Sequence, residues 1–218
     1  DTIKTAQGDL VITFLGHATL MATFGGKTVH IDPVGTEADY TKLPAADLIL
    51  ISHDHYDHLD PEAVKLIRKP ATKIVGNPDV GKQLPETIVL KNGESRTVEG
   101  FKIEAVPAYN IRHEMSPGKP FHPQGVGNGY VVTFGDKRVY FAGDTENVPE
   151  MKGLADIDIA FLPMNLPYTM TPEMAADAAL MFRPKILYPY HYGETDTAKL
   201  VDLLKDDKDI EIRIRKMK

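Results

Sequence analysis

Ser52-His53-Asp54-His55-Tyr56-Asp57-His58-Leu59-Asp60 is the stretch on which the fold turns. It places three imidazoles and three carboxylates within eight positions, directly after the apolar run Leu48-Ile49-Leu50-Ile51. It ends at Asp60-Pro61-Glu62, where an aspartate cap followed by proline at the first helical position reads as a helix start. A strand therefore delivers a dense set of metal-type donors into a loop ahead of a helix. His53 and His55, two residues apart, project to one side of an extended loop and can grip one ion, while Asp57 and His58 follow in position for a second. Capping alone accounts for Asp60, but a solvated polar loop does not account for the other four.

Upstream, Leu10–Leu15, Leu20–Phe24 and Thr28–Ile31 read as an antiparallel meander, turned at Gly16-His17-Ala18 and at Gly25-Gly26. Asp32 is either a turn residue before Pro33 or a carboxylate that accepts a hydrogen bond from a ligating histidine and fixes its tautomer. His17 either faces the site or occupies the turn, and His30 reads as a surface or satisfied core histidine.

Downstream, a helix is expected over Pro61–Lys69, stopped by Pro70, then a strand at Lys73–Gly76 and a helical turn after Asn77-Pro78. Strands follow at Ile88–Leu90, Arg96–Val98 and Phe101–Val106. A proline- and glycine-rich loop then carries Tyr109, Asn110, His113 and His122 to a strand at Tyr130–Phe134. The strand Arg138–Phe141 delivers Gly143-Asp144-Thr145, and Ile157–Leu162 leads into an apolar loop containing Tyr168. Thr171 caps a helix through Phe182, and Lys185–Tyr190 delivers His191-Tyr192-Gly193. A helix from Thr195 through Leu204 and an edge strand over Asp209–Arg215 close the chain.

H-x-H-x-D-H behind a hydrophobic strand resembles the metal-binding motif of the metallo-β-lactamase superfamily, and the likeness runs over nearly the whole chain. The opening segment is similar to the branch that includes ascorbate-phosphate lactonases and N-acylphosphatidylethanolamine phospholipase D type enzymes, where the aspartate matching Asp32 lies beneath the metal loop. The resemblance implies an α/β fold, a four-layer αββα sandwich of two mixed sheets flanked by helices, with a one- or two-metal site along one edge. It implies His53, His55 and a third histidine on one ion, Asp57, His58 and His191 on the other, and Asp144 bridging the pair, its two oxygens holding the ions ~3.5–4 Å apart. Two residues compete as the third histidine, with Asn110 behind them. His122 is favoured because prolines and glycines constrain its loop, whereas His113 sits in the charged Arg112-His113-Glu114.

The chemistry so implied is metal-dependent hydrolysis of an ester, lactone or phosphodiester of a small molecule by a metal-bridging hydroxide, because metal lowers the pKa of water from 15.7 to about 7. Asp57 is the catalytic candidate that orients the water or takes up its proton. His113, Tyr109, Asn110, Tyr168 and Tyr192 are candidate substrate contacts. Two divalent ions are expected, zinc first, with manganese, iron and nickel suiting the same nitrogen and oxygen donors. Two other readings stand beside this one: an iron-dependent oxidoreductase on the same ligands, and a non-catalytic metal- or ligand-binding member of the fold.

Composition sets the outer bounds. A chain of 218 residues with 42% hydrophobic content suffices for one domain with a full core. A net charge of −6 and the lack of a basic run disfavour nucleic acid as a partner. Without cysteine there are no thiolate ligands, which removes the branches with cysteine on the second metal, home to many true β-lactamases. No run approaches the ~20 apolar residues of a membrane span, and no signal peptide is seen. The polar start at Asp1 suits the segment behind a removed export signal or a trimmed start, so the compartment, cytoplasmic or exported, and the oligomeric state stay open.

Overall fold

Alternating and continuous apolar runs build two seven-stranded mixed sheets, seen in a computed structural model that describes residues 1–217. The first contains, in spatial order, β1 (Thr2–Thr5), β2 (Gly8–Gly16), β3 (Thr19–Phe24), β4 (Lys27–Ile31), β5 (Ala46–Leu50), β6 (Arg68–Gly76) and β7 (Ile88–Val89). Pairing is antiparallel from β1 to β4 and parallel from β4 to β7. Helix α1 (Pro61–Ile67) connects β5 to β6, and α2 (Pro78–Gln83) connects β6 to β7.

The second sheet repeats that plan. Strands β8 (Ser95–Val98) and β9 (Phe101–Ala108) precede a small hairpin of β10 (Glu114–Ser116) and β11 (Lys119–Pro120). Then come β12 (Gly127–Phe134), β13 (Lys137–Phe141), β14 (Ile159–Pro163), β15 (Ile186–Tyr190) and β16 (Glu211–Ile212). β8, β9, β12 and β13 pair antiparallel, and β13 through β16 pair parallel. Helix α3 (Pro172–Phe182) lies between β14 and β15 in sequence, and α4 (Thr197–Leu204) between β15 and β16.

β5 shows why its sequence is apolar without interruption. Leu48 and Leu50 enter the core between the sheets, while Ile49 and Ile51 join the cluster under α1. Across the sandwich Phe141, Phe161 and Tyr188 stack on successive strands with centroids 5.1 and 5.0 Å apart, and Phe14 of the first sheet tilts onto Tyr188 at 5.1 Å. On the far side Phe182 of α3 meets Tyr140 edge-on at 5.6 Å. Helices cover the outer faces and aromatics fill the inner ones, the αββα order that the resemblance implied.

Several boundaries differ from the expected ones. α1 stops at Ile67, and β6 passes through Pro70 because its register shifts between the pairs Ala46–Arg68 and Leu48–Lys73, leaving the proline in a bulge that needs no N–H. α4 is capped by Asp196 rather than Thr195, the final strand keeps only Glu211–Ile212, and β1 and the β10–β11 hairpin were not foreseen.

The site occupies the edge where β2, β4, β5, β13 and β15 end. His17, Asp32 and His191, each next after its strand, have φ of 50°, 45° and 46°, left-handed conformations that cost of order 1 kcal/mol or more each. The two sheet edges are tied across this opening: His191 N donates to His17 O at 3.0 Å, Asn128 N to Ser52 O at 3.0 Å, and the Tyr130 hydroxyl to Ile51 O at 2.9 Å. Gly143 (φ 65°) lets them approach, since a Cβ there would meet Asn128 O at 2.8 Å and the Ser52 Cβ at 3.0 Å.

Candidate metal centre

Asp32 organises the floor. Its Oδ1 accepts from Ser52 N at 2.7 Å, and its Oδ2 accepts from Ser52 Oγ at 2.7 Å and from His58 Nδ1 at 2.8 Å. With its proton committed to Asp32, the Ser52 hydroxyl can only accept from His53 Nδ1, 3.0 Å away. Asn110 Oδ1 does the same for His122, accepting from Nδ1 at 2.6 Å and from the backbone N at 2.9 Å. Three imidazoles are thereby held as Nδ1–H tautomers with their Nε2 lone pairs facing inward.

Those lone pairs converge. His53, His55 and His122 form one group whose donor atoms lie within 4.8 Å of one another, His17, Asp57, His58 and His191 form a second, and His53, His58 and Asp144 link them. Asp144 faces both ways: Oδ1 lies 3.2 Å from His58 Nε2 and 3.3 Å from His191 Nε2, and Oδ2 lies 3.2 Å from His122 Nε2. Yet His53 Nε2, His58 Nε2, His191 Nε2 and Asp144 Oδ1 are all buried without a hydrogen-bond partner. Each such orphan costs about 1–3 kcal/mol, and donors aimed at shared points rather than at one another are what bound cations satisfy. Nitrogen and carboxylate donors without sulfur fit a divalent ion such as zinc.

A model of the β-lactamase superfamily domain matches residues 11–191. The chain belongs to the metallo-β-lactamase superfamily. Within it, a UPF0173 metal-dependent hydrolase of Thermococcus onnurineus (strain NA1) is 36% identical, over 84% of each chain. A solved protein of Parabacteroides distasonis ATCC 8503, provisionally described as a metal-dependent hydrolase, is 51% identical with a TM-score of 0.95, covering 100% of this chain and 98% of its own. Igni18, a metallo hydrolase of Ignicoccus hospitalis KIN4/I, is 25% identical with a TM-score of 0.79, covering 95% of each chain. This superfamily member is a metal-dependent hydrolase.

The electrostatics of the superfamily site follow from burial and crowding. Burial, then the charge of His58, depresses His53 far below its ordinary value, and burial likewise lowers His55. Burial also acts to lower His58, but the carboxylates of Asp144 and Asp32 override it and hold that imidazole well above its ordinary value. Burial would raise Asp144, yet His191 and His58 hold it well below the carboxylate range, as His17 and His191 do for Asp57. Before any ion binds, His58 carries a proton that an ion would displace, whereas His53, Asp57 and Asp144 are held unprotonated.

Above the donors opens a cavity of about 540 Å³. Tyr168 lines it together with Tyr56, Met115 and Phe121, whereas Tyr109, Asn110, His113 and Tyr192 do not. The Tyr109 hydroxyl donates to Glu150 at 3.0 Å, and the Tyr192 hydroxyl to Arg215 O at 2.7 Å. Asn110 holds His122 from behind. His113 lies outside the donor groups, its Nδ1 2.8 Å from Glu146 Oε1.

Glu146 is the residue that the sequence concealed. Fully buried, it accepts from the backbone N of Ile111, Arg112 and His113 at 2.8, 2.8 and 2.7 Å and from Asn110 Nδ2 at 3.2 Å. It thereby pins the loop that carries His122's partner. Its one signal in the sequence is its place directly after Gly143-Asp144-Thr145. Glu37 and Met115 were equally hidden, neither carrying a local signal that places it beside the donors, while Phe121 directly precedes His122.

Proposed function

We propose that this chain is a binuclear hydrolase, with zinc as first choice and manganese second, that cleaves an ester, lactone or phosphodiester bond in a small molecule. The observation that supports it best is the division of the Asp144 carboxylate, one oxygen toward His122 and the other toward His58 and His191. His53, His55 and His122 would hold one ion, Asp57, His58 and His191 the other, with Asp144 common to both. Two divalent ions so held supply an acidified water, its pKa brought from 15.7 toward about 7, and draw electron density from the bond under attack.

The chain's own residues supply the rest. Asp57, held as a carboxylate, would orient the attacking water, and His17, whose Nε2 lies 3.2 Å from Asp57 Oδ2, stands beside it. Asp32, Ser52 and Asn110 keep the imidazoles turned inward, so they lose no time or entropy in reorienting.

The test is elemental analysis of protein purified without added metal. About two zinc or manganese ions per chain are expected, with one lost in His122→Ala and none in His113→Ala. Iron together with oxygen consumption would favour the oxidoreductase reading, and failure to take up any supplied metal would end the hydrolase reading.

A further inference from the structure

The cavity wall beyond the metal donors is mostly aromatic and thioether surface, with Thr36, Asn165 and one charge among it. Tyr56 at 87% and Met115 at 68% are the two largest apolar exposures among the described residues, and with Tyr168 at 44% they line this mouth. Phe121 meets Tyr168 edge-on at 5.0 Å and completes the surface. Isolated apolar side chains on a surface need no explanation, but several converging on one cavity indicate an apolar ligand group. Met115 adds a flexible, polarisable contact suited to chains of varying shape.

The one charge is Glu37. Its carboxylate lies over Gly16, where any Cβ would collide with it, and Gly16 immediately precedes His17 of the metal cluster. Thr36 Oγ1 donates to Glu37 Oε1 at 3.0 Å, and among the described residues no lysine or arginine is paired with it. Among the described residues no lysine or arginine lines the cavity either. Recognition of a phosphodiester or carboxylate ordinarily uses a guanidinium fork or an ammonium, and this wall has neither. Two divalent ions would bring four positive charges against the two carboxylates of Asp57 and Asp144, and Glu37 adds a third carboxylate to the lining. An anionic substrate therefore meets a like charge on the wall, while an uncharged one meets aromatic and thioether surface.

Resting on the hydrolase reading above, we infer that the substrates are uncharged esters or lactones bearing an apolar acyl or aryl group, and that Glu37 excludes anions, phosphodiesters included. Within the three bond types proposed, this selects carboxylic esters and lactones.

The experiment uses the zinc-loaded protein and two slowly reacting probes of similar apolar size, octanamide and dibutyl phosphate, with binding measured by calorimetry. In parallel, turnover of 4-nitrophenyl octanoate is compared with that of bis(4-nitrophenyl) phosphate, and metal content is measured on every sample. The expected result is octanamide binding at least tenfold tighter than dibutyl phosphate, and a shift of that ratio toward the phosphate of about fivefold or more in Glu37→Gln with the metal content of the wild type. Turnover should follow the same order. Tighter binding of dibutyl phosphate, or a ratio that Glu37→Gln leaves in place, overturns the inference even where the protein hydrolyses both compounds. The expected binding order in a metal-loaded protein that hydrolyses neither compound supports the selection by the wall and counts against the hydrolase reading instead.

Discussion

The two corners of the proposed metal centre use similar side chains and bury them to different depths. At the inner corner His58 and His191 are 0% and 1% exposed, and His58 rests on the Asp32 carboxylate, itself locked by two bonds from Ser52. At the outer corner Ser52 and Asn110 hold His53 and His122, but His55 is exposed and packs on their rings at 4.5 and 5.0 Å, its own ring without a hydrogen bond among the described residues. Burial keeps water from competing for the inner donors, whereas one of the three outer ones is open to it, so the inner corner should bind more tightly and release last. The outer corner, open to the cavity, is the one that can yield to a substrate.

Asp144→Ala should have the largest effect, because it removes the carboxylate shared by both corners and leaves buried imidazoles facing one another. Both ions should be lost and hydrolysis should fall to the buffer rate; retention of one tight ion per chain would show the corners to be independent. Next comes the support of each corner. Asp32→Asn should weaken the inner ion by roughly 10–100-fold, and Asn110→Ala should weaken the outer one within the same range. Chelator competition resolves the two losses, and equal effects of both variants on both ions would erase the distinction drawn here.

The smallest effect is that of pH. The ion-free His58 has a raised pKa, so its contribution to stability is complete below the ordinary histidine value and is lost as pH climbs through the raised one. Burial-depressed His53 acts in the opposite sense, but only as pH falls below about 6.5. As pH climbs above the ordinary histidine value, the melting temperature of the ion-free protein should therefore decline while that of the loaded protein holds, since a metal-bound His58 has no Nε2 proton to lose. A constant gap between the two forms would show that His58 is not protonated in the free site.

The same contrast separates what was legible from what was not. His53, His55, Asp57 and His58 crowd one loop after a strand, so spacing alone brings their donors together. His122, Asp144 and His191 each arrive singly at a strand or loop end, and only the family resemblance singled them out. Between His122 and His113 the only local ground is the stiffness of the His122 loop, which says nothing of where either ring points. The choice is made by Glu146, 33 residues beyond His113, which binds the loop backbone there and turns Asn110 toward His122. Tyr109 and Tyr192 fail to reach the cavity for a like reason, their hydroxyls being claimed by Glu150 and Arg215.

By itself the sequence determined the donor types, the alternation of strands and helices, and the loop that begins the metal site, because these depend on residues a few positions apart. The tertiary structure alone decided that His17 joins the converging donors, that Asn110 stands behind His122, and that the cavity wall sets Glu37, its one charge among the described residues, with Thr36 and Asn165 in aromatic and thioether surface. Those depend on how two sheets meet along one edge, and packing at that edge joins residues that no short-range pattern connects.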